Sequence, residues 1–294
     1  MTTTLLAPAV EPTAPAPGRL LLRLGYEIVF DVPAPTPMLL MLYAHPSVAH
    51  RLASPDTIHV EPHVPVTDFI DDFGNRVGRI LAPPGQVRIY GETVLEDSGD
   101  PDATKPDAQQ QRVEDLPPVV LTYLLGSRYC EVDRLSSVAW DLFGKTAPGW
   151  ARVQAVCDWV HRHVEFGYRH ARANKTALDV YVERRGVCRD FMHLAIAFCR
   201  ALGIPARYAT GYLSDINAAP DPTPMDFSAF FEAYLDGQWW PFDARYNVPR
   251  IGRVLMARGR DAVDCALTTS FGPTRLLKFK VITEEATAPH SQAA

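Results

Sequence analysis

The chain has 294 residues, about twice the usual single-domain length, and its 47% apolar and 21% charged residues make an ordinary globular balance. Twenty-nine Lys and Arg against 34 Asp and Glu leave a formal net charge of −5 with no basic block, which disfavours a nucleic-acid partner. No apolar run approaches the roughly 18 residues of a spanning helix, so no membrane partner is expected; the best, Met38 to Ala44, is strand-sized.

Residues 1–18 are rich in Thr, Ala and Pro and carry no basic residue before their short apolar patch. That pattern argues against a secretory leader and for a disordered arm. From 19 to 95 short apolar runs lie between turn residues: Leu20 to Phe30 reads as a strand, Met38 to Tyr43 as a second, and Val87 to Tyr90 as a further one. Phe73-Gly74-Asn75-Arg76 is a turn between strands, and the whole predicts a β-rich N-terminal domain, a sandwich or small barrel. Residues 96–118 hold seven acidic side chains among Pro, Gly, Ser and Gln and read as a solvated acidic linker.

Over 119–283 the period shifts to about 3.6. Leu135, Val138, Ala139 and Leu142 share one helical face, and Val153, Val156, Cys157, Val160 and Val164 another, with Thr146 as N-cap and Pro148 near the first turn. A third helix runs from Cys188 to Leu202 and stops at Gly203. Strands follow at Ala206 to Tyr212, Phe230 to Leu235 and Trp239 to Phe242, the last two joined by a tight Asp236-Gly237 hairpin. Residues 284–294 read as a disordered tail, and the fold class is α+β.

Five cysteines (Cys130, Cys157, Cys188, Cys199, Cys265) form no CxxC pair, so neither a disulfide framework nor a structural zinc site is expected. An odd count fits a reducing compartment, and the cytoplasm is the expected location. Cys188 stands where the Gly186 turn opens into a helix. Unpaired N–H groups and the helix dipole there favour a thiolate, Arg189 adds positive charge, and the same N–H groups suit an oxyanion. The plainer alternative makes Cys188 a small buried residue like Cys157 and Cys199.

Gly186-Val187-Cys188-Arg189-Asp190-Phe191-Met192-His193-Leu194, then Leu202-Gly203-Ile204-Pro205-Ala206-Arg207-Tyr208, then Gly211-Tyr212-Leu213, resembles the core of the transglutaminase-like superfamily. So does Phe231-Glu232-Ala233-Tyr234-Leu235 leading to Trp240-Pro241-Phe242-Asp243, and the match spans about residues 135 to 272. The β-rich first half looks like the N-terminal domain that bacterial members often carry. The resemblance implies a papain-like Cys-His-Asp arrangement in which Cys188 matches the nucleophile and Asp243 the acid that orients the histidine. The histidine position holds Ser228.

A serine hydroxyl cannot take a thiol proton near neutral pH, and losing a triad member costs several orders of magnitude in turnover. Three accounts stay open: another group supplies the base, the protein has lost catalysis and binds, or the histidine was replaced by engineering. His170, in the polar stretch before the cysteine loop, is the leading stand-in. Tyr246 is a candidate hydrogen-bond donor, and Asp190 is assigned to the helix N-terminus. His193 lies about 140° around the helix from Cys188 and points away from it. His161 and His163 end the preceding helix, where a structural role is the default.

His59 and His63 lack a third metal ligand, Asp68, Asp71 and Asp72 suit a turn, and Trp239 and Trp240 suit sheet packing. The resulting expectation is a thiol enzyme acting on a carboxamide or peptide bond through Cys188, with a peptide, protein or small amide partner and no metal or organic cofactor. The alternative is a catalytically impaired binding or scaffolding protein.

Overall fold

The computed structural model describes residues 19–218 and 225–286. The first part holds β1 (Leu20–Val32), β2 (Thr36–Leu40), β3 (His59–Glu61), β4 (Thr67–Ile70), β5 (Arg76–Ala82) and β6 (Gly85–Asp97). A short α1 (Pro118–Leu121) leads into α2 (Val132–Phe143) and α3 (Trp150–His163). Next come β7 (Glu165–Phe166), α4 (Ala177–Glu183), β8 (Arg185–Gly186) and α5 (Cys188–Ala201). The chain closes with β9 (Ala206–Leu213), β10 (Ser228–Leu235), β11 (Gln238–Phe242), β12 (Arg253–Gly259), β13 (Thr268–Ser270) and β14 (Arg275–Glu285).

These strands form three four-stranded antiparallel sheets, ordered β14-β1-β6-β3, β13-β2-β5-β4 and β11-β10-β9-β12, while β7 and β8 pair in parallel. The α+β class and the β-rich first part follow the sequence pattern. β5 shows why: its alternation buries Val77, Ile80 and Ala82 while Arg79 and Leu81 face out. In the turn before it, Asp71 Oδ1 accepts the N–H groups of Phe73 and Asn75, and Asp68 pairs with Arg76.

The second core wraps α5, which is buried along nearly its whole length. Phe198 sits between Phe143, Trp159 and Tyr181, and truncating such a ring costs about 3–5 kcal/mol. β9 and β10 lie on its other side, so both are buried on two faces and read as near-continuous apolar runs. Asp236 and Gly237 take φ of 49° and 77°, the left-handed pair that a two-residue hairpin requires. Trp239 packs on Tyr123 and Tyr234, and Trp240 on Trp150, so the two indoles serve opposite faces of the sheet.

Three boundary expectations are corrected. Residues 96–118 are no free tether: Ala108 is buried, its carbonyl accepts the Trp150 N–H at 2.9 Å, and Gln110 Nε2 donates to the Leu202 carbonyl. Backbone and side-chain hydrogen bonds hold this segment, which an apolar-residue count overlooks. The same contact replaces Thr146 as the start of α3, since the N-cap is Gly149 at φ 98°, where a Cβ would lie 2.3 Å from the Ala108 carbonyl oxygen. At the far end, Glu284 and Glu285 belong to β14, which pairs along β1 from Leu22↔Glu285 to Asp31↔Arg275. The first sheet thus draws on both ends of the chain. The expected arm at 1–18 and the end of the expected tail at 287–294 lie outside the described residues.

Candidate active site

Cys188 opens α5, and the backbone before it is clamped. Val187 is the extended N-cap, and Asp190 reaches back from the third helical position to accept the Val187 N–H at 2.9 Å. Gly186 permits this, because a Cβ there would sit 2.6 Å from the Asp190 Cβ. Upstream, the buried Lys175 Nζ donates to the Arg185 carbonyl at 3.0 Å and pairs with Glu183 at 3.2 Å. Asp190 therefore serves the helix N-terminus as expected, with its carboxyl pushed up by burial.

Of the two sequence readings of Cys188, the activated thiolate and the small buried residue, the surroundings of the sulfur oppose the first. Burial, and then the nearby Asp226 carboxylate, push Cys188 up to about 11. The N–H groups of Ala229 and Arg189 and the Arg245 guanidinium act in the opposite sense but are outweighed. Arg189 itself is directed elsewhere: it donates to the Arg172 carbonyl at 2.6 Å and lies 3.5 Å from Asp190.

Ser228 begins β10 opposite Gly211 of β9, and Ala229 beside it presents its N–H to the sulfur, so Cys188 and the start of β10 do meet. Gly211 lets β12 approach this spot, since a Cβ there would lie 1.9 Å from the Val254 carbonyl oxygen. The Ser228 hydroxyl is buried without a hydrogen-bond partner. Asp243, just past β11, accepts the N–H groups of Arg245 and Tyr246 on Oδ1 at 2.9 and 3.0 Å. Its Oδ2 accepts from Arg253 Nη2 at 3.1 Å. Arg253 Nε donates in turn to both carboxylate oxygens of Asp102, and its guanidinium lies 4.6 Å from the Phe230 ring centre. The carboxylate that the resemblance matches to the histidine-orienting acid is held in an ion pair with Arg253.

The candidate histidines are engaged with other partners, and Tyr246 meets Asp243 through its backbone N–H. His170 Nε2 accepts from Arg169 at 3.2 Å and lies 3.4 Å from Glu165, with no hydrogen bond to Cys188. His193 is fully buried, stacks on Tyr129, accepts the Ala262 N–H, and is pushed down to about 3 by burial. His161 bonds the Arg245 carbonyl and His163 the Trp159 carbonyl, both structural contacts. Tyr246 lies under the guanidinium groups of Arg245 and Arg250, 4.5 and 4.4 Å from its ring centre.

Sequence reasoning missed Asp226, Tyr168 and Tyr208. Asp226 is pushed up by burial and acts on both the Cys188 thiol and the Tyr168 phenol, while Tyr208 senses the cysteine from β9. The available signal was an acid two residues before the β10 start. Among the described residues, no group of three or more His, Cys, Asp or Glu could hold a metal ion.

With this geometry in hand, the comparisons with known proteins are specific. Residues 137–244 match the Transglutaminase-like superfamily. The crystal structure of a putative cysteine protease from Cytophaga hutchinsonii is 31% identical, covers 93% of each chain, and superposes with a TM-score of 0.81. An uncharacterized protein from Mycobacterium leprae is 30% identical over 117 residues, 39% of this chain and 42% of that relative, so the match spans less than half of its length. The periplasmic domain of TgpA from Pseudomonas aeruginosa (15% identical over 76% of this chain and 90% of its own) has a TM-score of 0.37, too loose to carry an argument. The chain belongs to the transglutaminase-like superfamily and has its papain-type fold, with helices packed on an antiparallel sheet behind a β-rich N-terminal region.

Proposed function

We propose that this protein binds a peptide, protein segment or small carboxamide in a transglutaminase-like cleft without turning it over. The observation that carries the reading is Ser228, whose hydroxyl is buried without a hydrogen-bond partner at the position where the resemblance places the histidine. Burial and the Asp226 carboxylate also push the Cys188 thiol up, against the thiolate. No hydrogen bond joins the sulfur to an imidazole among the described residues, Ser228 cannot take its proton, and Asp243 is held by Arg253. The reading asks for no metal or organic cofactor. It places the chain in the cytoplasm, supported by five cysteines without a disulfide. No helix among the described residues is long and apolar enough to cross a membrane.

The test is intact-mass analysis of the full chain after exposure to p-nitrophenyl acetate at pH 7. The expected result is no acyl adduct on Cys188 and no burst of nitrophenolate, with Ser228→His gaining both. A stoichiometric wild-type burst that disappears in Cys188→Ala would overturn it.

A second reading has one observation in its favour. The Ala229 and Arg189 N–H groups beside the sulfur are the kind of donors that an acyl-transfer oxyanion needs, and Asp226 is an acid close to the thiol. In that reading the chain is a thiol enzyme that hydrolyses or transfers at an amide or peptide bond, with Asp226 taking the proton. A burst abolished by Asp226→Asn would select it.

A further inference from the structure

Just before the Ala229 N–H that meets the sulfur, the chain is anchored to a strand from its far end. The buried Phe227 ring lies 5.0 Å from the Tyr212 ring centre on β9, 6.4 Å from Tyr26 on β1 and 5.9 Å from Phe279 on β14. Two residues earlier, the Met225 sulfur accepts the N–H of the buried Thr283, also on β14. Both chain neighbours of Asp226 are therefore tied to the same strand. The Asp226 carboxyl accepts the Phe227 N–H, which links the acid to the backbone that carries the ring. A carboxylate acts on a nearby thiol more weakly as the two separate, so whatever fixes residues 225–227 sets how strongly Asp226 opposes the thiolate.

Phe279 stands out among the rings around Phe227. Tyr26 and Tyr212 belong to the N-terminal core, whereas Phe279 is 39% exposed on an edge strand. Its ring partner among the described residues is Phe227. We propose that Phe279 is a positioning residue for the candidate site, holding Asp226 at Cys188 through Phe227. The N-terminal sheet, which β14 completes by pairing with β1, is thereby coupled to the cysteine. The inference holds whether the cleft only binds its ligand or turns it over.

The test is a double-mutant cycle on the full chain, read by site-specific iodoacetamide alkylation of Cys188 at pH 8. Asp226→Asn is expected to change the rate several-fold in the wild-type background and less than about 1.5-fold beside Phe279→Ala. A shift of either sign that Phe279→Ala suppresses supports the proposal. Phe279→Tyr, which keeps the ring, is expected to restore the full factor. Leu276→Ala, an exposed change on the same strand, is expected to leave it intact. Should Phe279→Ala fail to fold, Phe279→Leu removes the ring with less loss of volume and takes its place. The same Asp226→Asn factor in the wild-type and folded Phe279 backgrounds, an equal loss in Leu276→Ala, or no effect of Asp226→Asn at all would overturn it. The nitrophenyl acetate burst judges the functional reading separately.

Discussion

Arg253 holds Asp243 through Nη2 and Oδ2 at 3.1 Å, with the two side chains 6% and 3% exposed, and the same arginine grips Asp102 from Nε. One guanidinium thus neutralises two carboxylates, one from the acidic segment and one from the end of β11. Removing it leaves both acids unmatched, whereas removing Asp243 still leaves Arg253 paired with Asp102. Arg253→Gln is therefore expected to cost about 3–5 kcal/mol in urea unfolding and Asp243→Asn clearly less. Equal costs would show that Asp102 contributes nothing to holding the arginine.

Asp226 is the charged group that most raises the Cys188 thiol after burial itself. Replacing it with a neutral isostere removes a like-charge repulsion against the thiolate. Asp226→Asn should speed iodoacetamide alkylation of Cys188 several-fold at pH 8 without changing the unfolding midpoint by much. A slower reaction would mean that the carboxylate helps to remove the thiol proton.

Acid sensitivity follows from two buried imidazoles. Burial pushes His193 down to about 3 and His45 down to about 4, against an unfolded value near 6.5. The unfolded chain binds protons that the folded chain excludes, so their contribution is complete above pH 6.5 and falls as the pH drops toward the folded values. By pH 4 each histidine removes on the order of 3 kcal/mol. Asp56, Asp190 and Asp226 are pushed up and act in the opposite sense, so the histidine part is read as a difference. His45→Gln should lose less stability than wild type between pH 6.5 and 4; parallel curves would contradict the assignment.

Two glycines separate space from conformation. Gly211→Ala places a Cβ 1.9 Å from the Val254 carbonyl oxygen and forces β9 and β12 apart, at an expected cost of about 3 kcal/mol or more. Gly237→Ala meets nothing within 4 Å and pays only for its φ of 77°, about 1 kcal/mol. Thermal unfolding of the two variants should rank them in that order.

Much of the fold was legible because periodicity survives in a single sequence. The α5 run from Cys188, the Asp236-Gly237 turn and the strands β9 to β11 announce themselves through spacing and turn chemistry. The acidic segment misled because Asp102, Ala108 and Gln110 are held by individual polar contacts and one buried methyl group, none of which makes a period. β14 was legible as a strand only in its partner: its outward residues are exposed, and pairing with β1 across the length of the chain is non-local.

The site was legible by position and not by charge. The resemblance matched Cys188, Ser228 and Asp243 to one papain-like arrangement; the start of β10 meets the sulfur through the Ala229 N–H, while Asp243 is held by Arg253. The helix N-terminus was expected to decide the thiol's state, yet desolvation and Asp226 outweigh it, and both depend on packing that no local motif encodes. Arg253 was invisible for the same reason, since it reaches Asp243 from β12, on the far side of β9 and β10.

The pH dependence of Cys188 alkylation in the wild-type chain, followed site-specifically by peptide mass analysis, tests the account at its centre. A thiol pushed up to about 11 should react about 300-fold more slowly at pH 7 than a free cysteine of pKa about 8.5, with the rate still climbing past pH 10. A plateau reached below pH 8 would show an activated thiolate and contradict the reading of a cleft that binds without turnover.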